Sequence, residues 1–174
     1  MLPELSALWE KLESRHQEML ARIDELTPEQ LHYKAAPDRW SILQVLQHVV
    51  MGEEGIRRSE AELRDNPLRD ILQPGEMYKV VKDVLEKDVP VDVPDPAMEP
   101  DGKASEGELR ATWQKERKAI AALLETVTAE NRERVMFSHV AAGPLTALQM
   151  LEIAVAHLDT HCRQIDRIHA ELPV

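Results

Sequence analysis

Six residues near the C-terminus, Met150, Ala154, His157, His161, Ile165 and Ile168, recur in steps of three and four. An α-helix turns about every 3.6 residues, so such a series forms one line along a helix. A line that apolar must face a core, and the segment therefore predicts a long helix packed against other helices. Two members of the line are histidines four residues apart, which places both imidazoles on one face, stacked one turn apart. Polar rings on a core line need a reason.

The rest of the chain reads as further helices separated by punctuation. Leu5, Leu8, Leu12, Met19, Leu20 and Ile23 make the stripe of a first long helix, from Leu5 to about Leu26. Thr27-Pro28-Glu29-Gln30 combines an N-cap, a proline at the first helical position and a glutamine at the third, so a short turn follows to Leu31 or Tyr33. The chain turns at Ala36-Pro37-Asp38. Ser41, with Gln44 three residues on, caps a second long helix reaching Arg64, whose apolar face is Ile42, Val45, Leu46, Val49 and Ile56. Ser105 and Glu108 form a capping box for a third, with Leu109, Trp113, Ile120, Leu123, Leu124 and Val127 inward and an end near Thr128. Gly143-Pro144 is read as the opening of the fourth.

Between residues 66 and 104, prolines at 67, 74, 90, 94, 96 and 100 exclude a continuous helix, although Met77 to Lys87 can form a short one. This long, acidic, proline-rich crossover is expected to lie over one end or flank of the molecule and to shape a pocket there. Each half holds a long helix, a Thr-led turn (Thr27-Pro28-Glu29 and Thr128-Ala129-Glu130) and a second long helix, a weak echo of a duplicated hairpin. Two hairpins joined by one crossover make a four-helix bundle. Hydrophobic residues are 43% of the chain but aromatics only 3%, so the core rests on Leu, Val, Ile, Ala and Met, which suits an all-α fold. At 174 residues, a single domain spanning 1–174 is expected.

Charge and cysteine usage narrow the partners. Lys plus Arg number 21 against 32 Asp plus Glu, and the net charge of -11 repels phosphate backbones and anionic lipid, so neither nucleic acid nor membrane is expected as a partner. With Cys162 alone, no intramolecular disulfide forms, and neither a leader pattern nor an apolar run of about 18 residues is seen. A reducing cytoplasm is the expected setting. Apolar surface on the outer faces of four long helices favours a homodimer.

A third histidine, His48, sits in the apolar second helix, where a bundle can bring it opposite His157 and His161. Three imidazoles around one ion leave positions open for water or substrate, the mark of a catalytic rather than a closed structural site. Such an ion can activate a thiol, lower the pKa of a bound water or polarise a carbonyl. Zinc and nickel are the first candidates, although imidazole also suits copper, iron and cobalt. Against this, a buried histidine is more often a hydrogen-bonded core residue, and HxxxH without a metalloprotease glutamate is only modestly specific. Histidines at 16, 32, 139 and 169 show that the residue is frequent here, and sequence distance gives no contact information for His48.

Other residues carry less weight. Gln164, a turn beyond His161, can orient a ligand or simply be a polar helix position, the more common case. Glu53 and Glu54 can act as acid or base, with solvated helix charges as the plainer reading. Cys162 points about 100° away from His161 and reads as a buried thiol. His139 precedes the last helix and can line the mouth of a site, with an unpartnered loop histidine as the default. Trp40 reads as a core plug beside the second helix cap, and Trp9 and Trp113 as packing.

The stretch Trp40-Ser41-Ile42-Leu43-Gln44-Val45-Leu46-Gln47-His48-Val49, then Gly143-Pro144-Leu145-Thr146, then His157-Leu158-Asp159-Thr160-His161-Cys162-Arg163-Gln164-Ile165, resembles the DinB-like superfamily in order and spacing across nearly the whole chain. The resemblance implies a four-helix bundle of up-down-down-up type and a divalent metal on His48, His157 and His161. It further implies a thiol-dependent transferase acting on a small-molecule substrate with bacillithiol, mycothiol, glutathione or another low-molecular-weight thiol. The alternatives are a hydrolase using metal-bound hydroxide and a metal-binding stress-response module without turnover.

Overall fold

The computed structural model describes residues 1–89 and 95–173; Pro90 and Pro94 of the crossover lie outside them. Among the described residues, the helices are α1 (Pro3–Asp24), α2 (Pro28–His32), α3 (Ile42–Arg64), α4 (Met77–Glu86), α5 (Glu106–Leu124) and α6 (Ala147–Ala170). Single 3-10 turns occupy Arg69–Ile71 and Pro96–Met98. The four long helices expected from periodicity are α1, α3, α5 and α6. None of the described helices is long and apolar enough to cross a membrane.

Four helices start at capping boxes in which a hydroxyl and the third residue's side chain exchange bonds with the backbone: Thr27 with Gln30, Ser41 with Gln44, Ser105 with Glu108 and Thr146 with Gln149. Each box satisfies backbone donors that the first helical turn leaves without partners. The last box corrects the expected start of the fourth helix. Gly143 and Pro144 lie in a strand, β2 (Gly143–Leu145), paired antiparallel with β1 (Phe137–His139). Gly143 has φ 74, a left-handed conformation that glycine adopts at little cost where the hairpin reverses. The bundle is thus all-α apart from this hairpin. The expected echo also stops short: Thr27 opens α2, whereas Thr128 follows the end of α5 and its N–H donates to Asn131 in a turn.

Ion pairs fix the directions of the helices. Arg15 pairs with Asp159 and Arg22 with Asp166, a constant offset of 144 residues, so α1 and α6 run parallel and in register. The N-terminus meets Glu125, Glu13 meets Arg117 and Asp24 meets Arg110, which makes α5 antiparallel to α1. Gln44 and Gln47 reach the chain just before α5, at Pro100, Asp101 and Gly102, while Arg57, Ala61 and Arg64 share a groove with Ala119, Ala122 and Leu123. The α3 and α5 helices are therefore parallel. Arg39, before α3, pairs with Glu171, after α6, so those two helices are antiparallel. The result is the up-down-down-up bundle.

The core is almost wholly aliphatic, with Trp113 and Phe137 its largest aromatic members. The crossover adds a fifth helix along the outside of α6: Tyr78 bonds Glu152, and the Leu85 carbonyl accepts from Thr160 and Arg163. It closes at Asp88, which has φ 54 and whose carboxylate is gripped by Arg163 and Arg167. The turn after it, at Pro96–Met98, then passes over the start of α3.

Candidate metal centre

His48 faces α6 from α3, and His157 and His161 face back from α6, so the three predicted residues meet in the bundle. Their ligand atoms lie within 4.8 Å of one another. The His157 Nε2 is 3.2 Å from the His48 Nε2 and 3.0 Å from the His161 Nε2. His48 and His161 are buried, and His157 half-buried.

The surroundings determine which nitrogens carry protons. The His48 Nδ1 donates to the Met98 carbonyl at 3.0 Å, and the His161 Nδ1 donates to the Gln164 Oε1 at 2.8 Å. Both Nε2 atoms therefore present lone pairs to the centre. Burial lowers the pKa of all three rings, most strongly for His157, where the neighbouring His161 and His48 add repulsion, and to about 4 for His161. Near neutral pH the cluster is three uncharged imidazoles with their lone pairs crowded together, and one N–H on His157 cannot serve both neighbours. A cation at the centre removes that conflict. Three nitrogens about 2.0–2.1 Å from one ion in tetrahedral array stand about 3.3 Å apart, close to the separations given above.

Neighbouring side chains hold the rings in place. The Trp40 ring lies 4.9 Å from that of His48, centroid to centroid. Trp40 is half-buried, packed against the core as expected and also against the His48 ring. The His157 ring lies against Gly52, where a Cβ would meet the His157 Cε1 at 3.6 Å, an ordinary van der Waals contact. Gln164 accepts from the His161 Nδ1 and so fixes the orientation of that ring, rather than standing as a merely polar helix position.

Other candidates fall away from the cluster. Glu53 is not a solvated charge: it is 5% exposed and receives the Arg117 Nη1 at 2.6 Å on the opposite side of α3. Burial raises its pKa while Arg117 pulls it back, and Arg117 also binds Glu13. Glu54 is half-buried beside it in sequence and takes no part in the cluster. Cys162 is buried against α1, and burial pushes its thiol up to about 11. His139 has partners after all: its Nδ1 accepts the N–H groups of Ala141 and Ala142, both at 3.1 Å. Sequence reasoning missed the Met98 carbonyl, a backbone group with no side-chain signal.

The model of the DinB superfamily matches residues 11–165. No curated protein matches the chain. Among solved structures the fold is similar to "YfiT from Bacillus subtilis is a probable metal-dependent hydrolase with an unusual four-helix bundle topology", with a TM-score of 0.61 and 18% identity over 98% of this chain and 89% of that one. At that identity the likeness shows the fold alone, but the family match spans all four bundle helices and both halves of the histidine cluster, and the chain belongs to the DinB superfamily.

Proposed function

We propose that the chain holds a divalent metal ion on the Nε2 atoms of His48, His157 and His161 and activates a low-molecular-weight thiol for transfer to an electrophilic carbon. The observation that carries the metal reading is the convergence of three neutral imidazoles, two with tautomers fixed by Met98 and Gln164. Zinc and nickel remain the first candidates, because imidazole suits both. When bound, the ion supplies Lewis acidity, favouring the thiolate over the thiol.

The chain's own residues do the rest. The Met98 carbonyl and Gln164 hold two rings in the ligating tautomer, Trp40 covers one side and the bundle excludes water from the other. No carboxylate stands in the ligand cluster itself among the described residues, and Glu53 is committed to Arg117. Hydrolysis ordinarily draws on a general base placed outside such a cluster, whereas a thiolate nucleophile does not need one, so transfer asks less of the residues present. Hydrolysis is the second reading, supported by the description of YfiT as a probable metal-dependent hydrolase.

Metal content after loading with zinc or nickel tests the centre, comparing wild type with His157→Ala. About one equivalent is expected in the wild type and at least tenfold less in the variant; equal, near-zero content in both overturns the proposal. With metal in place, adduct formation between a thiol and chlorodinitrobenzene supports transfer, and ester cleavage without adduct supports the second reading.

A further inference from the structure

Gln44, Gln47 and His48 stand at positions i, i+3 and i+4 of α3 and so share one face of its first turns. All three reach one short stretch of the crossover, residues 98–102. The Gln44 Nε2 donates to the Pro100 carbonyl at 2.9 Å, the Gln47 Nε2 to the Asp101 Oδ1 at 2.9 Å and the His48 Nδ1 to the Met98 carbonyl at 3.0 Å, while the Gln47 Oε1 accepts the Gly102 N–H at 2.8 Å. Both ends of each glutamine amide are used, since the Gln44 Oε1 also accepts the Ser41 N–H in the helix cap.

The stretch is shaped for this docking. Asp95 caps the turn that leads into it, receiving the Ala97 N–H on its carboxylate and the Met98 N–H on its carbonyl. Pro100 is buried, and Gly102 has φ 70, a conformation that costs glycine little and in which a Cβ would crowd the Gln44 Cγ at 3.3 Å. The Asp101 Oδ1 that receives Gln47 also receives the Lys103 N–H at 3.0 Å, which holds the carboxylate in place. Met98 offers His48 a backbone carbonyl, and the position of that carbonyl is set by the capped turn on one side and by the two glutamines on the other.

We propose that Gln47, bonded to Asp101 and Gly102, is a positioning residue for His48, and that docking of residues 98–102 on α3 and binding of the ion reinforce one another. The inference rests on the metal reading. An ion on the His48 Nε2 keeps the ring proton on Nδ1, where it needs an acceptor, and the docked Met98 carbonyl is that acceptor. Undocking removes the acceptor and frees the ring to carry its proton on Nε2, the atom that the ion requires. One bond is thus common to the docked and the ion-binding states, and by linkage each state favours the other by the same factor.

The test compares wild type with Gln47→Leu, which removes both bonds of the glutamine, with Asp101→Ala, an exposed loop change that removes its acceptor without touching a helix, and with Asp101→Asn, which keeps an oxygen for it. Zinc affinity, measured by chelator competition, should fall at least threefold in Gln47→Leu and Asp101→Ala and stay within twofold of wild type in Asp101→Asn. Zinc should slow exchange of the Gly102 amide hydrogen at least threefold in the wild type. In metal-free protein, the ring nitrogen shifts of His48 should report a proton on Nδ1 in the wild type and a mixture of tautomers in the two loss variants, a change that lost stability elsewhere does not produce. Unchanged zinc affinity in both loss variants, or a Gly102 amide indifferent to zinc, overturns the coupling. Wild type that takes up no zinc fails the metal reading, and the positioning role is then judged on the tautomer: Nδ1 protonation unchanged in both loss variants overturns it.

Discussion

Gln164 accepts the Nδ1 proton of His161 from one turn further along α6. Without that acceptor the His161 ring loses both its fixed tautomer and its orientation, and the Nε2 lone pair no longer points reliably at the centre. Gln164→Leu should lower metal affinity about 10–100-fold, as loss of such ligand-orienting partners does, while Gln164→Glu, which keeps an acceptor, stays much closer to wild type. Competition against a colorimetric chelator measures this, and equal affinity in the Leu variant would refute the role. At this scale the sequence was partly legible. Helical periodicity placed His157 and His161 on one face and the two-hairpin layout allowed His48 to meet them, but the family resemblance was needed to name it, since contact across more than a hundred residues depends on topology. Glu53 was misread because a glutamate three turns into a helix looks the same whether it faces water or Arg117.

Helix starts were the most legible elements, because a capping box is a local interaction between residues three apart and needs no tertiary context. The last helix was misplaced for the opposite reason. Gly143-Pro144 looks like a helix opening, yet the backbone there pairs with β1, and a two-stranded hairpin of three residues each leaves almost no periodicity. The hairpin is tied to the approach to α4 at Gly75, whose N–H donates to the Pro144 carbonyl at 2.8 Å. A Cβ on Gly75 would sit 2.5 Å from the Ala142 carbonyl oxygen, a backbone atom that cannot swing aside. Gly75→Ala should therefore cost about 1–3 kcal/mol by overpacking. Gly55→Ala, over open space in a helix, should instead be neutral or stabilise by about 0.5–1 kcal/mol. Urea unfolding of the two variants gives opposite shifts if the two glycines serve these different ends; shifts of the same sign would contradict it.

Across the whole molecule, Arg117 ties three helices together: it bonds Glu53 of α3 and Glu13 of α1 from α5, with its guanidinium 4.8 Å from the Trp9 ring. Arg117→Met leaves Glu53 buried and unpaired, at a cost of about 3–5 kcal/mol, and adding Glu53→Leu should restore most of it. A double variant as unstable as the single one in urea would show that the charges are needed for more than mutual compensation. His16 lies in the same layer, buried and edge-on to Trp113 at 4.2 Å, and burial first, then the charges of Arg117 and Arg110, lower its pKa to about 4. The unfolded chain titrates this ring near 6.5, so below that pH it takes up a proton that the folded chain refuses until about 4. The unfolded state binds more protons throughout that window, and stability falls as the pH drops through it while staying level above. About two and a half pH units at 1.36 kcal/mol each put the loss from His16 at about 3.4 kcal/mol at most. The other buried histidines act in the same direction, so the contribution of His16 is isolated as a difference. In chelator-treated protein, the fall in unfolding free energy between pH 7.5 and 4.5 should be about 2–3 kcal/mol smaller for His16→Phe than for wild type. Parallel curves would mean that the His16 ring is protonated as easily inside the bundle as outside it.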